Sequence, residues 1–527
     1  MHLLGAALAI LSAATFALTN AIGRRGVITG TPAQGMVISI PVGLACFLSL
    51  ALLTGGLQAF SRFSISALVA LSAAGVLHFV LGRYCNFRAS QAAGVNLTAP
   101  VMQLNAVVTL TRERALEQAR RAERELKAGR DRGPLHGIPY GAKDLLATSG
   151  GIPTTWGAVP FRNRCFDYDA TVIRRLEEAG AVLVAKLAMV EFAGGMGYRQ
   201  PNASFTGPGI SPWSPDVWSG GSSSGSGSAV GAGCVPFAIG SETWGSILSP
   251  ATFCGVTGLR PTYGRVSRHG AMALCWTLDK LGPLALTADD CGLVLDAIAG
   301  PDAADPTSSG RPYRYDADDT GRPFRLAVVR GTVDGAQPAV RDAFLKALDT
   351  LRALGTIEEI TLPDRPYEAM TRVILWAEAS SASETLIESG GIAELTAPED
   401  RITPYARDVV LAKDYLRALK LRGVVAREID GVLRRYDAIV GPSRAAVGAR
   451  LGEEFRSPIR GGAPDVLGAV GNAAGLPAVG VPCGLTPDGL PVGIQFMGRA
   501  WDENVVLAAA RAWQSRTDFH RRRPPLT

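Results

Sequence analysis

The first 112 residues contain neither Asp nor Glu. A water-facing surface of that length normally carries both signs of charge, so this absence constrains the chain before any motif does. Three charge-free apolar stretches lie within it, at residues 3–22, 36–60 and 65–81. The first two reach the roughly 20 residues that an α-helix needs to cross about 30 Å of hydrocarbon. The third is shorter and holds His78. The six Arg of the region, at 24, 25, 62, 83, 88 and 112, all fall outside the apolar stretches. A cleavable signal peptide would need a basic start and a short apolar run, and residues 1–22 have neither. The pattern predicts a membrane segment of about three helices over residues 1–103.

The Arg residues also predict an orientation. Arg24 and Arg25 follow the first stretch and Arg83 and Arg88 the third, whereas the opposite side holds only Arg62. Short loops richer in Lys and Arg stay cytoplasmic. The amino terminus is therefore expected outside, and everything after residue 103 membrane-associated on the cytoplasmic face. The pieces "GAALAILSAATFALTNAIGRRG" and "LHFVLGRYCNFRASQAAGVNLTAPV" resemble the opening helices of EamA-type drug/metabolite transporters. The likeness stops near residue 103, where such a transporter would continue. It implies an anchor or the remnant of a fusion, not a complete transporter.

From Thr111 the texture changes. "TRERALEQARRAERELKAG" has strong helix formers, mixed charges and a Gly stop, which predicts an exposed amphipathic helix. Helix-like "DATVIRRLEEAG" precedes the apolar run "AVLVAKL". Near the end, "AVGVPCGLTPDGLPVGIQFMG" reads as two strands around a Pro-Asp-Gly turn, followed by the helix "ENVVLAAARAWQ". A more helical stretch covers about 365–437. Such alternation over residues 104–527 predicts one large α/β domain. Six of the chain's 53 Lys and Arg lie in the first 112 residues, leaving 47 bases against 47 acids in the rest. A neutral domain offers no footprint for nucleic acid. The eight cysteines are scattered, without a C-x-x-C pair or a His at ligand spacing, which argues against structural zinc and a disulfide framework. Most sit among small and apolar residues and are expected as buried free thiols.

The informative segment is "WSGGSSSGSGSAVGAGCVPFAIGSETWGSILSPATFCGVTGLRPT", residues 218–262. A Gly/Ser linker would be polar throughout, but here small residues are interleaved with Val, Phe and Ile, as in backbone packed tightly in a core. Gly221-Ser222-Ser223-Ser224-Gly225 formally satisfies the G-x-S-x-G nucleophile elbow. That arrangement also needs an acid and then a His downstream, and only His269 and His520 follow. Neither phosphate-binding glycine motif is present.

The segment is similar to the core motif of the amidase-signature family, in which a G-G-S-S run is followed by a second Ser in a G-S-I context. Here Ser222 and Ser246 stand 24 residues apart. "GPLHGIPYGAKDLLATSGGIPTT", "DYDATVIRRLEEAGAVLVAKLAMVEFA" and the terminal "NAAGLPAVGVPCGL" and "DGLPVGIQFMG" extend the resemblance from about Leu104 to the C-terminus. The resemblance implies an α/β/α layered fold with a central mixed sheet. It also implies a Ser-cisSer-Lys triad of Lys143, Ser222 and Ser246. Ser246 would be the nucleophile, Lys143 the uncharged base, and Ser222 the relay within hydrogen-bond reach of both, after a cis Gly221–Ser222 bond. Main-chain N–H groups at Thr243, Trp244, Gly245 and Ser246 would form the oxyanion hole. The implied substrate is a small-molecule amide, with ammonia or an amine released and neither metal nor organic cofactor required. The divergent 365–437 stretch would line the acyl pocket.

Two departures bear on the site. Trp244 stands where the family has Gly. Leu248 stands where it has an Arg that pairs with the acid four residues before the nucleophile, so Glu242 is expected to lack its partner. Three other functions stay open: the glutaminase subunit of a tRNA-dependent amidotransferase, a membrane transport component with an enzyme-derived domain, and a catalytically inactive binding module. The oligomeric state is not legible.

Overall fold

The computed structural model describes residues 105–318, 322–407, 409–454 and 465–525. The predicted membrane segment, its topology and its EamA-like pieces lie outside these residues. Among the described residues no helix is long and apolar enough to cross a membrane.

Eleven strands make a single mixed sheet. In chain order they are β1 Val107–Leu110, β2 Pro139–Lys143, β3 Val182–Leu187, β4 Phe237–Glu242, β5 Thr257–Arg260, β6 Lys280–Ala285, β7 Phe324–Val329, β8 Gly355–Ile360, β9 Ala438–Pro442, β10 Ala478–Leu485 and β11 Pro491–Met497. Their order across the sheet is β1-β3-β2-β4-β6-β5-β10-β11-β9-β7-β8. β2 runs parallel to both β3 and β4, and β7 runs parallel to β8 and β9. The β10–β11 hairpin is antiparallel, as the Pro-Asp-Gly turn requires. Most central strands are buried along their whole length and read as apolar or small-residue runs, because helices cover them.

The charged segment after Thr111 forms α1, Arg112–Lys127, of which only Gln118 and Ala122 are buried. "DATVIRRLEEAG" supplies α2, Thr171–Glu178, with Val172, Ile173 and Leu176 turned inward. The Gly/Ser segment is not a tether: it forms α3, Ser224–Gly231, buried at every residue. Its glycines let backbone approach backbone. A Cβ on Gly225 would lie 2.3 Å from the Ala106 carbonyl oxygen and 2.5 Å from the Ala188 nitrogen. Next come α4, Leu248–Phe253, and α5, Ala288–Ile298, capped by the Thr287 side chain on the Asp290 N–H. The later helices are α6 Pro338–Arg352, α7 Tyr367–Ala382, α8 Glu384–Glu388, α9 Thr403–Arg407, α10 Ala412–Leu433, α11 Val466–Ala473 and α12 Glu503–Arg516. α3 packs on α4, and α5 on α12, along the sheet. The 365–437 stretch is helical as expected, with α7 packed on both α10 and α11. The architecture is an α/β fold with one large mixed sheet.

Candidate active site

Lys143 is the last residue of β2, and Ser246 lies in the loop between β4 and α4. Because β2 and β4 are parallel neighbours, both loops emerge at the carboxyl ends of their strands, where α/β sheets place ligands. Ser222 precedes α3. Its loop is pinned on both sides, by the Val190 N–H on the Ser222 carbonyl (3.1 Å) and the Ser223 N–H on the Ser246 carbonyl (3.3 Å). The Gly221–Ser222 peptide bond is cis. A Cβ on Gly221 would collide with Val190 and Trp218, at 2.7 and 2.8 Å, so the position excludes a side chain.

Lys143 is fully buried, and its Nζ faces three hydroxyls: Ser222 at 2.7 Å, Ser241 at 2.9 Å and Ser223 at 3.0 Å. Burial drives its pKa well below the ordinary lysine value, against the opposing pull of the Asp279 and Glu242 carboxylates. The Ser223 proton is already committed, since its hydroxyl donates to the Ser241 carbonyl (3.2 Å) while accepting the Ser241 N–H (3.2 Å). A neutral amine has two N–H groups and one lone pair. With Ser223 as an acceptor, the lone pair is left for Ser222 or Ser241. Ser241 carries no sequence signal, and Ser223 is marked in sequence only as the centre of the G-x-S-x-G match. Ser241 lies 98 residues from Lys143 on β4, and only the sheet register brings the two together.

Ser246 is nearly buried. Among the described residues its hydroxyl makes no hydrogen bond, so of the two contacts expected of Ser222 only that to Lys143 is formed. Such bonds commonly tighten only when substrate is bound. Gly245 has φ +85°, a conformation open to glycine at little cost. The main-chain N–H groups of Trp244, Gly245 and Ser246 donate to no acceptor among the described residues. The next two, Ile247 and Leu248, both donate to Glu242 Oε2, at 2.9 and 3.0 Å. The half-buried Trp244 indole donates Nε1–H to the Asp465 carboxylate at 2.9 Å.

Glu242 is not without a partner. Arg260, at the end of β5, donates Nη1–H to Glu242 Oε1 at 2.9 Å, and Asn472 donates to the same oxygen at 3.1 Å. Burial pushes the Glu242 carboxyl upward, but the charges of Arg260 and Lys280 and the two loop amides outweigh it and hold the group at about 2. Leu248 is buried at the start of α4, and the cation comes instead from β5, which lies across β6 from β4. Lys280, opposite Glu242 in the β4–β6 ladder, is pushed down to about 7 by burial and by Arg260.

A cavity of about 210 Å³ adjoins the site, lined by Ser241, Thr243, Leu274, Trp276 and Asp279 among others. The Thr243 hydroxyl donates to Asp279 at 2.6 Å. No residue of 365–437 lines this cavity. That stretch braces a loop that does line it: Glu378 on α7 accepts from the Thr277 N–H (2.9 Å), the Thr277 hydroxyl (2.8 Å) and the Cys275 thiol (3.1 Å).

Residues 97–507 match the Amidase family. The match begins inside the stretch assigned from sequence to the membrane segment. Among curated proteins, a glutamyl-tRNA(Gln) amidotransferase subunit of Moorella thermoacetica is 39% identical over 452 residues, covering 80% of this chain and 92% of that one. Among solved structures, the peptide amidase of Stenotrophomonas maltophilia aligns with TM-score 0.69 and 30% identity, covering 80% of this chain and 91% of that one. A protein of the complex from which the origins of an s-triazine catabolic enzyme were traced gives TM-score 0.74 and 30% identity, covering 84% and 97%. Fold and likeness together define an enzyme acting on carboxamide C–N bonds. The chain belongs to the amidase family.

Proposed function

We propose that the chain hydrolyses a small-molecule carboxamide through an acyl-enzyme on Ser246, with Ser222 as proton relay and Lys143 as base. The observation that carries this reading is a buried amine, ion-paired with no carboxylate among the described residues and ringed by three hydroxyls, beside a loop with three uncommitted amides. When Ser223 and Ser241 accept its two N–H groups, the lone pair of Lys143 faces Ser222. Ser246 Oγ then attacks the carbonyl carbon, its proton passing through Ser222 to Lys143. The N–H groups of Trp244, Gly245 and Ser246, with Thr243 at the edge of the same loop, receive the oxyanion. Lys143 returns the proton through Ser222 to the nitrogen, and the C–N bond breaks. Water repeats the sequence on the ester and frees the acid. An amide panel assayed for ammonia release with the full chain tests this. Release by the wild type and none by Ser246→Ala is expected; equal release by both would refute it.

A second reading is favoured by the curated relatives, which are subunits of glutamyl-tRNA(Gln) amidotransferases. On that reading the chain is a glutaminase subunit that works with other subunits. Trp244 counts against it, and co-purification of partner subunits with the native chain would decide for it. The acid-free residues 1–103 support an EamA-like membrane anchor with the amidase domain on the cytoplasmic face. Full-length chain released from membranes by carbonate washing, without detergent, would disprove the anchor.

A further inference from the structure

Arg444 lies just after β9, in "GPSRAAV", where no motif marks it. A Cβ built on Gly245 would lie 2.8 Å from Arg444 Nη1, so the guanidinium rests against the main chain of the residue immediately before Ser246. Nη1 donates to Asp465 Oδ2 at 3.1 Å. Among the described residues, Nε and Nη2 donate to no protein acceptor. The side chain keeps 32% of its surface exposed. The Asp465 carboxylate, by contrast, accepts on both oxygens. Its Oδ2 also accepts the Trp244 indole N–H, and its Oδ1 accepts the Gly468 N–H at 3.1 Å as the cap of α11. Asp465 therefore fixes both Arg444 and Trp244, with the guanidinium held against Gly245, next to the nucleophile, and its Nε and Nη2 left without an acceptor among the described residues. A planar fork with unspent N–H groups matches the two oxygens of a carboxylate.

From this placement we infer that Arg444 is a specificity-determining residue that binds a carboxylate carried by the substrate close to its scissile amide. The favoured substrates are then anionic amides, such as monoamides of short dicarboxylic acids. The inference rests on Ser246 being the nucleophile, so the test reads both. Full-length chain is labelled at Ser246 with a fluorophosphonate in the presence of succinamate or its uncharged counterpart butyramide. Succinamate is expected to protect Ser246 at a concentration about ten- to a hundredfold lower, the yield of a charge-assisted hydrogen-bond pair. Arg444→Gln should bring the two protecting concentrations within about threefold of each other. Arg444→Lys should restore part of the gap, since a lysine supplies the charge but not the fork. In ammonia-release kinetics Arg444→Gln should raise KM for succinamate by a larger factor than it lowers kcat. Equal protection by the two amides in the wild type overturns the inference. So does a gap that persists in Arg444→Gln, which would mean that Arg444 only braces Asp465 and Trp244. A wild type that takes no label at Ser246 refutes the nucleophile itself, a separate and distinguishable failure.

Discussion

Replacing Arg260 by Met tests whether the cation missing from position 248 has been relocated. Arg260 is fully buried and bonds Glu242 through Nη1 and the Leu476 carbonyl through Nε at 3.0 Å. Removing one partner of a buried pair leaves an uncompensated charge, at a cost of about 3–5 kcal/mol. The Glu242 carboxyl, lowered by Arg260 together with Lys280 and the loop amides, gives a figure of the same size. Held at about 2, against roughly 4.3 for a free glutamate, it contributes on the order of 3 kcal/mol at neutral pH. The sign follows from the lowered value. The contribution is complete above the free glutamate pKa and fades as pH falls toward 2. Urea unfolding of Arg260→Met at pH 7 should therefore show a loss of about 3–5 kcal/mol. The Glu242→Gln/Arg260→Met double variant should lose less than the two single changes added together. Because Glu242 also holds the Ile247 and Leu248 amides, Arg260→Met should slow fluorophosphonate labelling of Ser246. A loss below about 1 kcal/mol with unchanged labelling would show that Arg260 is not the partner Glu242 depends on, since exposed pairs give no more than that.

Lys143→Ala should lower kcat/KM by about 10²–10⁴-fold, the usual share of a positioned base. The wild-type profile should rise as Lys143 loses its proton and level off well below the pH at which ordinary lysines titrate; a full-activity variant would contradict the assignment. Lys280→Met should abolish a gain in stability between pH 7 and 10. A lysine lowered to about 7 favours unfolding while the unfolded chain still binds the proton, so wild-type stability rises through that window; urea midpoints at both pH values read it. Gly225→Ala should cost about 1–3 kcal/mol or more, because the new Cβ meets main-chain atoms at 2.3 and 2.5 Å. An unchanged urea midpoint would show that α3 can move away.

The elements with a strong local signal were legible. Charge and helix formers marked α1, and the Pro-Asp-Gly turn fixed the β10–β11 hairpin. The mixture of small and apolar residues in the Gly/Ser run anticipated buried backbone, and α3 is buried throughout. What sequence did not carry was pairing across the sheet. Ser241 joins Lys143 through the β2–β4 register, and Arg260 replaces the expected partner of Glu242 because β5 and β4 both flank β6. A motif records which residue type stands where along the chain, not which distant side chain supplies a missing charge. Arg444 escaped notice for the same reason: its meaning lies in touching Gly245, 199 residues away.

On the proposed mechanism Ser246, and none of the neighbouring serines, forms the acyl-enzyme. Full-length chain treated with a fluorophosphonate, weighed intact and then mapped by peptide, tests it directly. A single adduct on Ser246 is predicted, absent in Ser246→Ala and formed more slowly in Ser222→Ala. An adduct on Ser223 or Ser224, or a wild-type-like adduct in Ser246→Ala, would overturn the assignment of the nucleophile.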